Sequence, residues 1–212
     1  MDGSCQCYEH LEELNLPGFT GPKTGLLVEC SNMTGISLHH DIDSIFKFFN
    51  GTRSVFVLKV RDSNLGHHLR GLPSGLMDLK HLTLDNTNID LEQIRESSEI
   101  LVGLKTFKIY REKFTEIPED FFSDLHGLIN LGLNNVGLKA ISTDGLEFLE
   151  DSLKELSLRE NKLRSIPVAV VNLHNLESLD LTDNEISLIP DDTACSMESG
   201  LRSLSTLTLN SE

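Results

Sequence analysis

From Val55 onward, apolar and polar positions recur in one phrase. Residues 153–163 read LKELSLRENKL and residues 176–186 read LESLDLTDNEI, both following L-x-x-L-x-L-x-x-N-x-L. Looser copies occupy residues 55–65, 79–89, 104–114 and 128–138, and an incomplete copy starts at Leu204. The second apolar anchor of each copy is Leu58, Leu82, Phe107, Leu131, Leu156, Leu179 and Leu207, at intervals of 24, 25, 24, 25, 23 and 28 residues. A period of this size marks a repeated supersecondary unit.

Each copy predicts a short strand at its middle L-x-L, with two residues pointing inward and one outward between them. The asparagine at the ninth position, Asn161 or Asn184, can bond its side chain to the backbone where the strand turns away. Further apolar residues then lead the chain back over the core: Ile117, Phe121 and Phe122 in one copy, Ile166, Val170 and Leu173 in the next. The steps Ile117-Pro118, Ile166-Pro167 and Ile189-Pro190 suit that return, because proline favours an extended approach and offers no ladder donor. Thr87, Glu112 and Val136 stand where the pattern asks for asparagine, which predicts less regular turns there. One such unit cannot bury its own apolar face, whereas a stack can.

The motif resembles that of the leucine-rich-repeat family and covers residues 55–212 as about seven repeats, the last truncated. The resemblance implies an α/β-type solenoid. In it a parallel sheet lines the concave face, and irregular chain, 3-10 turns and short helices form the convex side. It also implies protein–protein recognition, as in receptor ectodomains, adhesion proteins and matrix components.

Residues 1–54 are not a repeat and form the expected N-terminal cap region. They hold Cys5-Gln6-Cys7, then Cys30 after the apolar run Leu26-Leu27-Val28. This is similar to the cysteine-containing cap of extracellular members of the family, where another cysteine precedes the C-x-C pair. By that resemblance Cys5 pairs with Cys30 and Cys7 lacks its partner. The chain's four cysteines by themselves allow three connectivities. Cys195 is expected to be a buried free thiol or to pair outside the chain. The missing cap cysteine, and an end inside the last strand, lead to the expectation of a longer native protein. Two glycosylation triplets, Asn32-Met33-Thr34 and Asn50-Gly51-Thr52, join the cysteines in favouring an oxidising, extracellular setting. No apolar signal segment is present at the N-terminus. The cap and irregular early repeats also resemble small secreted arthropod repeat proteins, some of them non-catalytic subunits of secreted enzyme complexes such as a luciferase. A third reading is an intracellular scaffold.

The balance of 18 basic against 33 acidic residues leaves a net charge of -15. That argues against nucleic acid, whose phosphates call for a surplus of Lys and Arg, and against adsorption to an anionic membrane. No apolar run approaches the ~18 residues that span a bilayer. Neither G-x-S-x-G nor H-E-x-x-H occurs, and Gly21-Pro22-Lys23-Thr24 lacks the spacing of a phosphate loop. The doublets His39-His40 and His67-His68, read as exposed loop histidines, make no natural metal pair. No enzyme, cofactor or metal site is expected.

The strand positions expected to face outward carry charge unevenly. The first three copies present Lys59, Arg61, Lys80, Lys105, Lys108 and Arg111 against Asp62 and Asp85, a surplus of four positive charges. The fifth to seventh present Lys154 and Arg159 against Glu155, Glu160, Glu177, Asp180 and Asp183, a surplus of three negative ones. Tyr110 lies within the basic half, with His81 one copy away; Tyr and Arg predominate at binding hot spots. Lys80, His81, Lys105, Lys108, Tyr110 and Arg111 are therefore the candidate ligand-facing patch, suited to an acidic protein segment or a sulfated glycan.

Overall fold

The structure is a computed structural model describing residues 3–9, 25–50, 53–66, 76–96 and 101–209. The chain divides into two compact units, Met1–Phe107 and Lys108–Glu212.

In the first unit, strand β1 (Ser4–Tyr8) runs antiparallel to β2 (Leu26–Ser31). Strand β2 in turn pairs parallel with β3 (Val55–Arg61), and β3 pairs parallel with β4 (His81–Asp85). The register carries Val28 to Leu58 to Leu82, and Cys30 to Val60 to Leu84. All six of these side chains are buried. A strand inside the expected cap, residues 1–54, thus enters the repeat ladder in phase. Its copy differs beyond the strand, because helix α1 (Gly35–Phe48) fills the longer interval before β3. Thr34 caps α1, its hydroxyl accepting from the Ser37 amide while the Ser37 hydroxyl accepts from the Thr34 amide. Leu38 and Ile42 form the helix's buried stripe. The shorter helix α2 (Leu91–Arg95) starts at Asp90 with the same reciprocal cap to Gln93.

Strand β5 (Thr106–Tyr110) carries the division between the units. In the second unit, β7 (Asn130–Asn134), β9 (Glu155–Ser157), β10 (Ser178–Asp180) and β11 (Thr206–Thr208) pair in parallel, with Leu131, Leu156, Leu179 and Leu207 in register. The first three of these leucines are at most 1% exposed; Leu207, on the last described strand, is 40% exposed. The return segments form a small parallel pair, β6 (Glu116–Ile117) with β8 (Ala140–Ile141). A 3-10 turn follows at Glu147–Leu149, then α3 (Val168–Val171) and α4 (Asp191–Gly200), which begin directly after Pro167 and Pro190. Ile117, Phe121, Phe122, Ile166, Val170 and Leu173 are all buried, as the return path requires.

The turns after the strands share one backbone device. Asn32, Asp62 and Asn86 in the first unit, and Arg111, Asn135, Glu160 and Asp183 in the second, all have φ between 47° and 58°. Each lies two residues after the last residue of its copy's central apolar-x-apolar triplet, such as Val28-Glu29-Cys30 or Leu156-Ser157-Leu158. This left-handed step turns the amide toward the following copy: Asp62 N donates to Asp85 O, Asn135 N to Arg159 O and Glu160 N to Thr182 O. At the next position Asn161, 6% exposed, accepts from the Val136 and Leu138 amides and donates to Leu133 O, Leu158 O and Arg159 O. Asn184 repeats the arrangement with Leu163 N, Leu158 O and Leu181 O. Ser63 does a shorter version of the same work, its hydroxyl donating to Arg61 O and accepting from Met33 N.

Candidate ligand-binding face

The candidate patch splits between the units: Lys80, His81 and Lys105 belong to the first, Lys108, Tyr110 and Arg111 to the second. In the first unit the Lys105 amide donates to Lys80 O at 2.8 Å, which sets these residues in adjacent layers. Both lysines are half-buried. The Lys80 ammonium lies over Gly103, where it would be 3.0 Å from a Cβ, so the glycine leaves it room. His81 departs from the expectation of a surface residue: it is 3% exposed, opposite Val57 in the β3–β4 ladder. Thr106 and Asn130, at the same repeat position, are each 6% exposed. The position is therefore buried in three consecutive copies.

In the second unit the Lys108 stem passes over Gly132, its Cγ 3.3 Å from where a Cβ would stand. Among the described residues the Lys108 ammonium has no carboxylate partner. Tyr110 is half-buried; Arg111 is exposed, its amide donating to Asn134 O. Beside them Asn134 Oδ1 accepts from the Ser157 hydroxyl and the Arg159 amide. The Asn130 amide group donates to the Glu155 carboxylate.

The charge contrast expected along the strands is partly neutralised. Lys59 pairs with Glu29 at 2.8 Å, a partner supplied by β2 and hidden from a reading that placed residues 1–54 outside the repeats. In the second unit Lys154 pairs with Glu177 at 2.7 Å, and Arg159 with Asp180 at 3.6 Å. The hydrogen bond to Glu177, then its charge, raise the Lys154 pKa.

Cys5 and Cys30 face each other across β1 and β2 and form a disulfide. Cys7 and Cys195 are free and exposed, so Cys195 is not the buried thiol expected; it lies on α4, none of whose residues is buried. Although Cys7 reaches solvent, desolvation raises its pKa, with the Glu9 charge adding to that and Arg53 opposing it. Asn32 and Asn50 are both exposed; Gly51 and Thr52 lie outside the described residues, as do His67, His68 and the Gly21–Thr24 stretch. His39 and His40 lie on helix α1 and not in a loop.

The family model for leucine rich repeat matches residues 130–186 and 151–212. Residues 130–212 carry that family's repeat. Keratocan of Gallus gallus is similar, 32% identical over 123 residues that cover 57% of this chain and 33% of that one. Lumican of Oryctolagus cuniculus is 28% identical over 168 residues, covering 78% of this chain and 73% of that one. The matched segment thus spans a third of the length of the keratocan. Among solved structures, a leucine-rich-repeat protein of Leptospira interrogans covers 73% of this chain and 49% of its own at 21% identity, with a TM-score of 0.47. Within each unit parallel strands stack copy upon copy, as in a leucine-rich-repeat solenoid.

Proposed function

We propose that this leucine-rich-repeat protein is a secreted or cell-surface binding module without catalytic activity, which holds an acidic segment of another protein on the outward row of its strands. The observation that carries this reading is the second unit's Lys108. It stands at the centre of β5 in a chain of net charge -15, has no carboxylate partner among the described residues, and faces a glycine in the next strand. A cation so placed keeps its charge for a ligand, and Gly132 leaves room for the lysine stem that carries it. Tyr110 and Arg111 follow directly, side chains suited to buried contact and to bidentate pairing with carboxylates. Lys80 and Lys105 form the first unit's share of the reading; His81, being buried, is a supporting residue and not a contact.

The extracellular part of the proposal is supported by the Cys5–Cys30 disulfide, which persists in oxidising surroundings. Exposed Asn32 and Asn50, each opening a glycosylation triplet, add to it.

The test uses acidic peptides selected against the wild-type chain from a displayed library. Replacing Lys105, Lys108 and Arg111 together by Ala should weaken the selected peptides by about tenfold or more and flatten their salt dependence. Unchanged affinity and salt slope would sink the strand-face reading. Because the first unit holds Lys105 and the second holds Lys108 and Arg111, the variants split by unit report each share separately.

A further inference from the structure

Away from the strand row, the second unit carries a cleft of about 280 Å³ lined by Lys139, Lys162, Arg164, Ser165 and Glu185. These residues come after the strands, at the tenth to thirteenth positions of consecutive copies, where the chain starts its return. Their backbone is tightly held. The Lys139 amide donates to Thr115 O, the Lys162 amide to Leu138 O and the Glu185 amide to Leu163 O. Asn161 and Asn184 clamp the amides of Leu138 and Leu163 beside them.

Three cations and one carboxylate give the cleft a local surplus of two positive charges in a chain whose net charge is -15. Among the described residues the Glu185 carboxylate takes only the Nε of Arg164, at 3.0 Å, and that pair is open to solvent, with side chains 85% and 48% exposed. Exposed pairs of this kind contribute little and exchange readily. Among the described residues the Lys139 and Lys162 ammonium groups have no carboxylate partner. The other polar side chains that line the cleft carry ammonium, guanidinium and hydroxyl groups, all able to donate. Such a set suits a ligand group that only accepts, with full charge and several oxygens.

We propose that the Lys139–Lys162–Arg164 cleft binds sulfate groups of a sulfated glycan. Its volume lies near the lower end of ligand pockets, ~300 Å³, which admits one or two sugar rings. Strand layers repeat every ~4.8 Å, close to the length of a sugar ring. Lys139 stands in one layer and Lys162 with Arg164 in the next, a spacing that matches charged groups on neighbouring sugars. An extended polysaccharide also reaches a narrow basic cleft where the chain's overall negative charge would repel a broad anionic membrane. The choice of sulfate over phosphate rests on the extracellular reading; the anion-binding geometry does not.

The experiment is calorimetric titration of the full chain with a heparin hexasaccharide, its desulfated counterpart and a phosphoserine peptide. The sulfated sugar should bind, the desulfated one should not, and affinity should fall at high salt. Replacing Lys139, Lys162 and Arg164 together by Ser should weaken it by about tenfold or more. Glu185→Gln, which removes the competing carboxylate, should strengthen binding about threefold, a gain that a damaged fold cannot imitate. The Ala variant of Lys105, Lys108 and Arg111 should bind the sugar like wild type. The proposal is overturned if wild type ignores the sulfated sugar, if the cleft variant binds it equally well, or if only the strand-face variant loses it. A preference for the phosphoserine peptide overturns it as well. Absence of sugar on Asn32 and Asn50 of the native protein would count against the extracellular reading, while anion binding in the cleft would still be decided by the titration alone.

Discussion

Asn161 shows what the ninth repeat position does. Its carboxamide oxygen accepts two amides of the preceding copy and its nitrogen donates to three carbonyls, one there and two in its own turn. An alanine would leave these groups buried without partners, at about 1–3 kcal/mol each where water cannot replace the asparagine. Asn161→Ala should therefore lower unfolding free energy by roughly 3 kcal/mol, measured by urea denaturation; a change below ~0.5 kcal/mol would mean that water takes over the bonds. Glu160, just before it, is held at φ 55°. A side chain in that region costs about 1–2 kcal/mol, and the amide it turns toward Thr182 O offsets part of the cost.

Among the elements, β1 depends most on a covalent tie. Four of its five residues are exposed, so it has little apolar burial to hold it against β2. The Cys5–Cys30 bond closes a separation of 25 residues, a constraint worth about 3 kcal/mol in the chain-entropy account. Cys5→Ser should therefore expose the β1 and β2 amides to rapid hydrogen exchange. The β9 and β10 amides, which belong to the second unit, should keep their protection. Equal loss in both units would show that the bond's influence extends beyond the first. Helix α1 needs no such tie, because the Thr34–Ser37 cap and buried Leu38 and Ile42 hold it.

At the scale of the whole molecule, charge decides behaviour in solution. A net charge of -15 at neutral pH opposes the approach of copies to one another, and the pI from the sequence is about 4.9. Acidification protonates carboxylates and removes that repulsion. Light scattering should rise to a maximum near pH 4.9 and fall on either side; a flat profile would show that repulsion does not control association. The same net charge makes the exceptions informative: Lys108 on the strand row, and the three cations of the flank cleft.

The repeat was legible in the amino-acid order because an L-x-L strand needs only a local alternation, and the asparagine stands at a fixed place after it, although three of the five bonds of Asn161 run to the preceding copy. The buried return residues, from Ile117 to Leu173, were legible for the same reason. Other features depended on neighbours distant in the chain. Strand β2 joins the ladder although its copy is stretched by α1, and so it brings Glu29 to Lys59. His81 is buried at a position that local alternation turns outward, and so are Thr106 and Asn130 in the next two copies. Cys195 is exposed because α4 buries none of its residues. The flank cleft unites residues from three consecutive copies, each ordinary in its own stretch of sequence. Local pattern therefore determined which residues turn, pair and enter the core, while stacking decided which charges meet.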